Sequence, residues 1–137
     1  KVAEVFSDPP INFISGAVQS GTARLGGQIE FPLIEHLQSL SPGQYRFGVR
    51  SNHLFLSRTH AEDTEIHTKV ELSEINGSET FIHGHYADSR LVVQEDGVHP
   101  YRMGAEISIY VHPSSFFVFD QAGALVASPV GNTHEKP

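Results

Sequence analysis

Cysteine and tryptophan are absent from the 137 residues, methionine occurs once, at Met103, and Lys plus Arg number nine against sixteen Asp plus Glu. Without cysteine there is neither a disulfide framework nor a thiolate metal site, a composition that fits a cytosolic protein. The formal charge of −7 offers no electrostatic footprint for a polyanion, so nucleic acid is not an expected partner. No apolar run approaches the ~20 residues that cross a bilayer, and the first residues lack the basic-then-apolar layout of a signal peptide, so any membrane role is expected to be indirect. With Lys1 first and Met103 the only methionine, the chain reads as a piece of something longer.

What is present is alternation with period two, the mark of strands with one face in a core and the other in water. Tyr45, Phe47 and Val49 point one way and Arg46 and Arg50 the other. Ile66, Thr68, Val70 and Leu72 alternate with His67, Lys69, Glu71 and Ser73. Ile107, Ile109 and Val111 alternate with Glu106, Ser108, Tyr110 and His112. Ser41-Pro42-Gly43, Asn76-Gly77, Asp96-Gly97 and Gln121-Ala122-Gly123 supply reversal chemistry, and Gly16, Gly21, Gly26 and Gly27 read as turn glycines too. Only Leu33–Leu40 has helical spacing, and it is short. Short strands with Gly/Pro turns predict an all-β fold of small antiparallel barrels with at most one short helix. Residues 1–130 form the expected domain, as one unit or two intertwined barrels, and 131–137 a loose tail.

The segment Val70–Tyr86 gathers carboxylates, hydroxyls and two histidines and reads as a hairpin. Val70, Leu72 and Ile82 are expected inward, Asn76-Gly77 as the two turn residues, and Glu71 and Ser73 on the wet face. No carboxylate pair there is set at a working distance in opposed environments, as acid/base catalysis requires. Asn76-Gly77-Ser78 satisfies a glycosylation sequon by coincidence. His83 and His85 fall on one side of a strand, as metal ligands do. The positions where a cupin-type site needs its carboxylate, however, hold Ser89 and Arg90, so no metal ligand is assigned. The phosphate loop, the His-Glu-x-x-His helix and the Gly-x-Ser-x-Gly elbow are all missing, so the chain reads as a binding or regulatory module and not an enzyme.

Four segments, taken together, resemble the C-terminal regulatory domain of ABC importer ATPases of the maltose and glycerol-3-phosphate type, built from TOBE/MOP-like OB-fold barrels. Phe6-Ser7-Asp8-Pro9-Pro10-Ile11-Asn12-Phe13 is similar to that domain's Phe-x-Gly-Ser-Pro-Pro-Met-Asn-Phe opening. Gly43-Gln44-Tyr45-Arg46-Phe47-Gly48-Val49-Arg50-Ser51-Asn52-His53-Leu54 is similar to its Gly-Ile/Val-Arg-Pro-Glu-His strand and turn. Val70–Thr80 is similar to its Val-x-x-x-Glu-x-x-Gly-Ser-Glu-Thr hairpin, and Phe119–Leu125 to its closing Phe-Asp-x-x-Thr/Ser-Gly hairpin. Ser7, Asp8 and Ile11, and Ser51-Asn52, depart from the family pattern; Asn52 stands where the family has an acid and inherits no role from it.

The resemblance implies that ATP and Mg belong to a nucleotide-binding domain upstream, with no cofactor in this segment. It implies pairing with a second copy, weak in isolation, beneath membrane-spanning importer subunits on the inner face of the cell membrane, with a regulatory protein as a further partner. Exposed loops with defined turns recognise partners more often than strand interiors do. The expected contact residues are therefore Arg50, Asn52, His53, Glu74, Asn76, Gly77, Ser78 and Glu79.

Two other classes stay open. A MOP-like oxyanion sensor of the molybdate type needs amides and hydroxyls converging on the anion, and Ser20-Gly21-Thr22-Ala23-Arg24 is the stretch that hints at them. A single-stranded nucleic-acid OB-fold needs aromatics interleaved with basic residues, whereas Phe116, Phe117 and Phe119 lie beside Asp120 in sequence.

Overall fold

The computed structural model describes residues 11–87 and 89–129. Phe6–Pro10 of the opening motif and the expected tail at 131–137 lie outside the described residues. Eleven strands follow one another: β1 (Ile11–Gln19), β2 (Thr22–Leu25), β3 (Ile29–Pro32), β4 (Gly43–Arg50), β5 (Thr64–Lys69), β6 (Leu72–Asn76), β7 (Glu79–Tyr86), β8 (Ser89–Asp96), β9 (Glu106–Val111), β10 (Phe117–Phe119) and β11 (Leu125–Ala127). They form a six-stranded sheet in the order β11-β10-β4-β1-β2-β3, a two-stranded β5-β9 ladder and a three-stranded β6-β7-β8 sheet, with every pairing antiparallel. The protein is all-β, as its alternation predicts. Where helical spacing was read, Glu35–Ser39 makes a 3-10 turn that buries Leu37.

β1 shows how the sequence builds the core. Asn12, Ile14, Gly16 and Val18 face inward, and across β4 Phe47, Gly48 and Val49 are buried. Phe31, Phe47 and Phe116 meet there, with Phe31 stacked on Phe116 at 5.6 Å and Phe47 edge-on to it at 5.7 Å. Gly16 is not the turn glycine expected of it. It sits inside β1, where an added Cβ would lie 2.8 Å from Leu25 Cγ, so two packed side chains require its bare backbone. The turn is made instead by Ser20 and Gly21, both at positive φ (55° and 75°), the type I′ pattern that suits strand twist.

Leu72 does not face inward as its alternation predicts. Val70 and Ile82 are 1% exposed, as predicted, but Leu72 is 45% exposed. At this point the chain changes partners. Val70 donates to Ala105 O and accepts from Gly104 N, whereas the Glu71 amide donates to His83 O. Two successive residues bonded to different sheets force a bend, which resets the inward-outward phase before β6 begins. β6 is an exposed edge strand. The turn that follows it is Gly77-Ser78 and not Asn76-Gly77. Asn76 pairs with Glu79, and Gly77 has the expected positive φ, +67°.

Candidate functional site

Arg50 ends β4, and Ser51–His53 forms a 3-10 turn pinned by the buried Leu54. Of the expected contact residues here, Arg50 lies on the outer face of the sheet, while its neighbour Ser51 turns inward. The Arg50 guanidinium lies over the Phe117 ring, 5.4 Å from its centroid. Ser51 points the other way, fully buried, and its hydroxyl donates to Gln94 Oε1 at 3.4 Å. Asn52 and His53 are half-buried, and Asn52 Oδ1 is enclosed without a hydrogen-bond donor.

The second expected loop is held from β8. Gln94 Nε2 donates to Glu79 Oε2 at 3.0 Å, so one amide bridges Ser51 to Glu79. Ser78 O accepts from the Gly97 amide at 2.6 Å, and Thr80 Oγ1 donates to Gly97 O while accepting from the His99 amide. The tip residues Asn76, Gly77 and Ser78 remain exposed. The fold therefore brings the two loops together through Gln94, which the sequence did not single out. Its only sequence signal was its place at the junction between the apolar run Leu91-Val92-Val93 and the acidic Glu95-Asp96.

The two histidines of β7 are paired with carboxylates in and just before the neighbouring strand β6. His83 Nε2 and Glu74 Oε1 are 2.9 Å apart, and His85 Nδ1 contacts Glu71. The carboxylates and imidazoles read separately in the sequence thus answer one another across the β6–β7 edge.

On the outer face of the six-stranded sheet, β1, β4 and β10 place Phe13, Phe117 and Phe119 alongside Arg46 and Arg50. Phe13 and Phe119 meet edge-on at 5.6 Å, and the Arg46 guanidinium is 4.4 Å from the Phe13 centroid. Basic and aromatic residues are therefore interleaved in space although not in sequence. The guanidinium groups already lie on ring faces where a nucleobase would stack.

Ser20, Thr22 and Arg24 of the expected anion stretch line a cleft of about 390 Å³ together with Ala17, Gln19 and Glu30, whereas Ala23 is buried in the core. Arg24 Nη2 is 3.2 Å from Glu30 Oε2, and both side chains are more than half exposed. The one guanidinium on this wall is thus already paired with a carboxylate.

No protein-family model and no curated protein matches the chain. Among solved structures it is similar to the cytoplasmic molybdate-binding protein ModG in its molybdate-bound form, with a TM-score of 0.60 over 78% of this chain and 94% of that one at 13% identity. No described helix is long and apolar enough to cross a membrane. The chain has an all-β fold of the OB type.

Proposed function

We propose that this domain is a non-catalytic regulatory and self-association module of the ATP-binding subunit of a solute importer of the sugar or glycerol-3-phosphate type, located at the inner face of the membrane. The observation that carries the reading is the Ser51–Gln94–Glu79 bridge. It joins two of the family-like segments, Gly43–Leu54 and Val70–Thr80, into one rim that presents exposed tips. The mixed outer face of Phe13, Phe117, Phe119, Arg46 and Arg50 adjoins the same β4 end and suits a protein partner, since arginine and aromatics are enriched in such contacts. ATP hydrolysis would belong to an upstream domain, and that domain, a second copy and the membrane subunits would share the binding energy, so this segment alone need associate only weakly.

A second reading is favoured by a specific observation and has the more direct support of the solved neighbour: an oxyanion-binding domain. ModG is described as molybdate-binding, and here Ser20, Thr22 and Arg24 line a cleft with hydroxyl and guanidinium groups. Glu30 opposes it, because a carboxylate 3.2 Å from the only local guanidinium neutralises the charge an anion would seek. A second copy would have to complete such a site.

Sedimentation over a roughly hundredfold concentration range, with and without molybdate, tungstate or sulfate, separates the two readings. The importer reading expects weak, oxyanion-independent association that Glu79→Lys weakens. A dimer that appears only with oxyanion and is lost in Arg24→Ala would replace that reading with the second. In-frame coding sequence for a phosphate loop upstream of Lys1 is the independent check, and its absence counts against the importer.

A further inference from the structure

The connection from Leu54 to Asp63 and the end of β9 bring together groups that neither proposed function uses. His60, Asp63 and His112 each offer a ligand atom, and these atoms lie within 4.8 Å of one another. The His60 and His112 rings meet edge-on with centroids 4.9 Å apart. Glu62 stands beside them, its Oε1 3.7 Å from His112 Nε2. A cavity of about 250 Å³ opens next to the group, and Glu30, Glu62 and Asp63 all contribute to its wall.

Asp63 is used on one side only. Its side chain is 1% exposed, and Oδ2 accepts three hydrogen bonds, from the Thr59 amide at 2.7 Å, the Thr59 hydroxyl at 3.0 Å and the His60 amide at 2.9 Å. Those bonds fix the carboxylate and the loop. Oδ1 is buried and accepts none, lying 3.9 Å from His60 Nδ1. A buried carboxylate with one oxygen committed to structure and the other unbonded, 3.9 Å from an imidazole nitrogen, is the chemistry of a cation ligand.

We infer that His60, Asp63 and His112, with Glu62 as a fourth arm, form a binding site for a divalent transition metal of the zinc class. Mixed nitrogen and oxygen donors select such an ion over Ca²⁺ or Mg²⁺, which prefer oxygen alone. Ligand atoms around tetrahedral zinc lie about 3.3 Å apart, so the 4.8 Å spread must contract. The exposed His60 and Glu62 are the arms that would move toward the buried Asp63 and His112, and His60 does so from a 3.0 Å contact between its Nδ1 and Thr59 Oγ1. His112 would bind through Nε2, with Nδ1–H donating to Ser114 Oγ, 2.8 Å away, as the outer-shell bond that orients the ring. That choice gives up the longer contact from the Ser114 amide at 3.2 Å.

The test is titration of the full chain with Co²⁺, read by its visible ligand-field bands, and with Zn²⁺ by calorimetry. One saturable site is expected. His60→Ala, at an exposed position, should keep the fold by circular dichroism yet weaken the site by at least about tenfold, the lower range found even for groups that touch a metal only through its ligands. Glu62→Gln should weaken it less. The double variant His83→Ala/His85→Ala should bind as the wild type does. The inference is overturned by no saturable binding up to about 1 mM metal, by a site indifferent to His60→Ala, or by one that disappears with His83 and His85.

Discussion

Asn12 on β1 holds Val92 on β8 as a neighbouring strand would. Its Oδ1 accepts from the Val92 amide at 2.8 Å, and its Nδ2 donates to the Val92 carbonyl at 3.0 Å. β8 is the edge of its sheet, and β1 lies inside another. One buried amide therefore satisfies both outward backbone groups where the two sheets meet. Asn12→Ala would leave those groups unpaired at 80 residues' sequence separation from their partner. The expected loss is about 2–4 kcal/mol in urea unfolding. An unchanged midpoint would mean that the seam does not depend on this amide.

Tyr86 performs a similar service for the β2–β3 turn. Its hydroxyl accepts from the Gln28 amide at 2.7 Å and the Ile29 amide at 3.0 Å and donates to Leu25 O, filling the inside of the turn. Tyr86→Phe is expected to cost about 2–3 kcal/mol, with little change in packing, because the ring stays and its partners lose their bonds. Amide exchange at Gln28 and Ile29 should accelerate beyond what the global loss explains. Protection that falls uniformly would count against a local role.

The exposed edge at β6 gives a contrasting pair. Leu72→Thr should change stability by less than about 0.5 kcal/mol, since Leu72 is a surface residue, whereas Ile82→Ala on the adjoining strand should cost about 2–5 kcal/mol. Gly77→Val should cost about 1–3 kcal/mol through backbone strain alone, because φ is +67° and no atom lies within 4 Å of the added Cβ. Gly77→Asn should recover most of that loss. Equal effects for Leu72 and Ile82 would place the phase reset elsewhere.

Asp63 sets an acid limit. Its pKa is lowered in the folded state, so the stability it contributes is fully present above the usual carboxylate range and is lost as pH falls through the folded value. With a chelator present, the wild type should lose more stability than Asp63→Asn between neutral pH and strongly acid pH. At neutral pH the variant should be weaker by about 1–3 kcal/mol, because a buried charge-assisted acceptor is removed. Parallel pH profiles would show that Asp63 does not carry this term.

Local chemistry was enough for the fold class, since alternation over Tyr45–Val49 and Ile107–Val111 and the glycine at 77 depend only on neighbouring residues. It was not enough for Leu72. Its exposure follows from Val70 and Glu71 hydrogen-bonding to different sheets, a choice made by residues more than ten positions away. Gly16 likewise looked like any glycine until Leu25 and Phe47 occupied the space of its missing Cβ. The expected contact turns were legible as turns, but their union through Gln94 was not, because nothing in one strand records which loops its side chain will span. His60, Asp63 and His112 make the same point about chemistry. His60 and Asp63 were ordinary residues in the sequence and His112 one expected on the outer face of its strand, and only the pairing of β5 with β9, Thr64 opposite Val111, sets the loop before one strand against the end of the other. Periodicity is written along the chain, whereas convergence is decided by which sheets share a core.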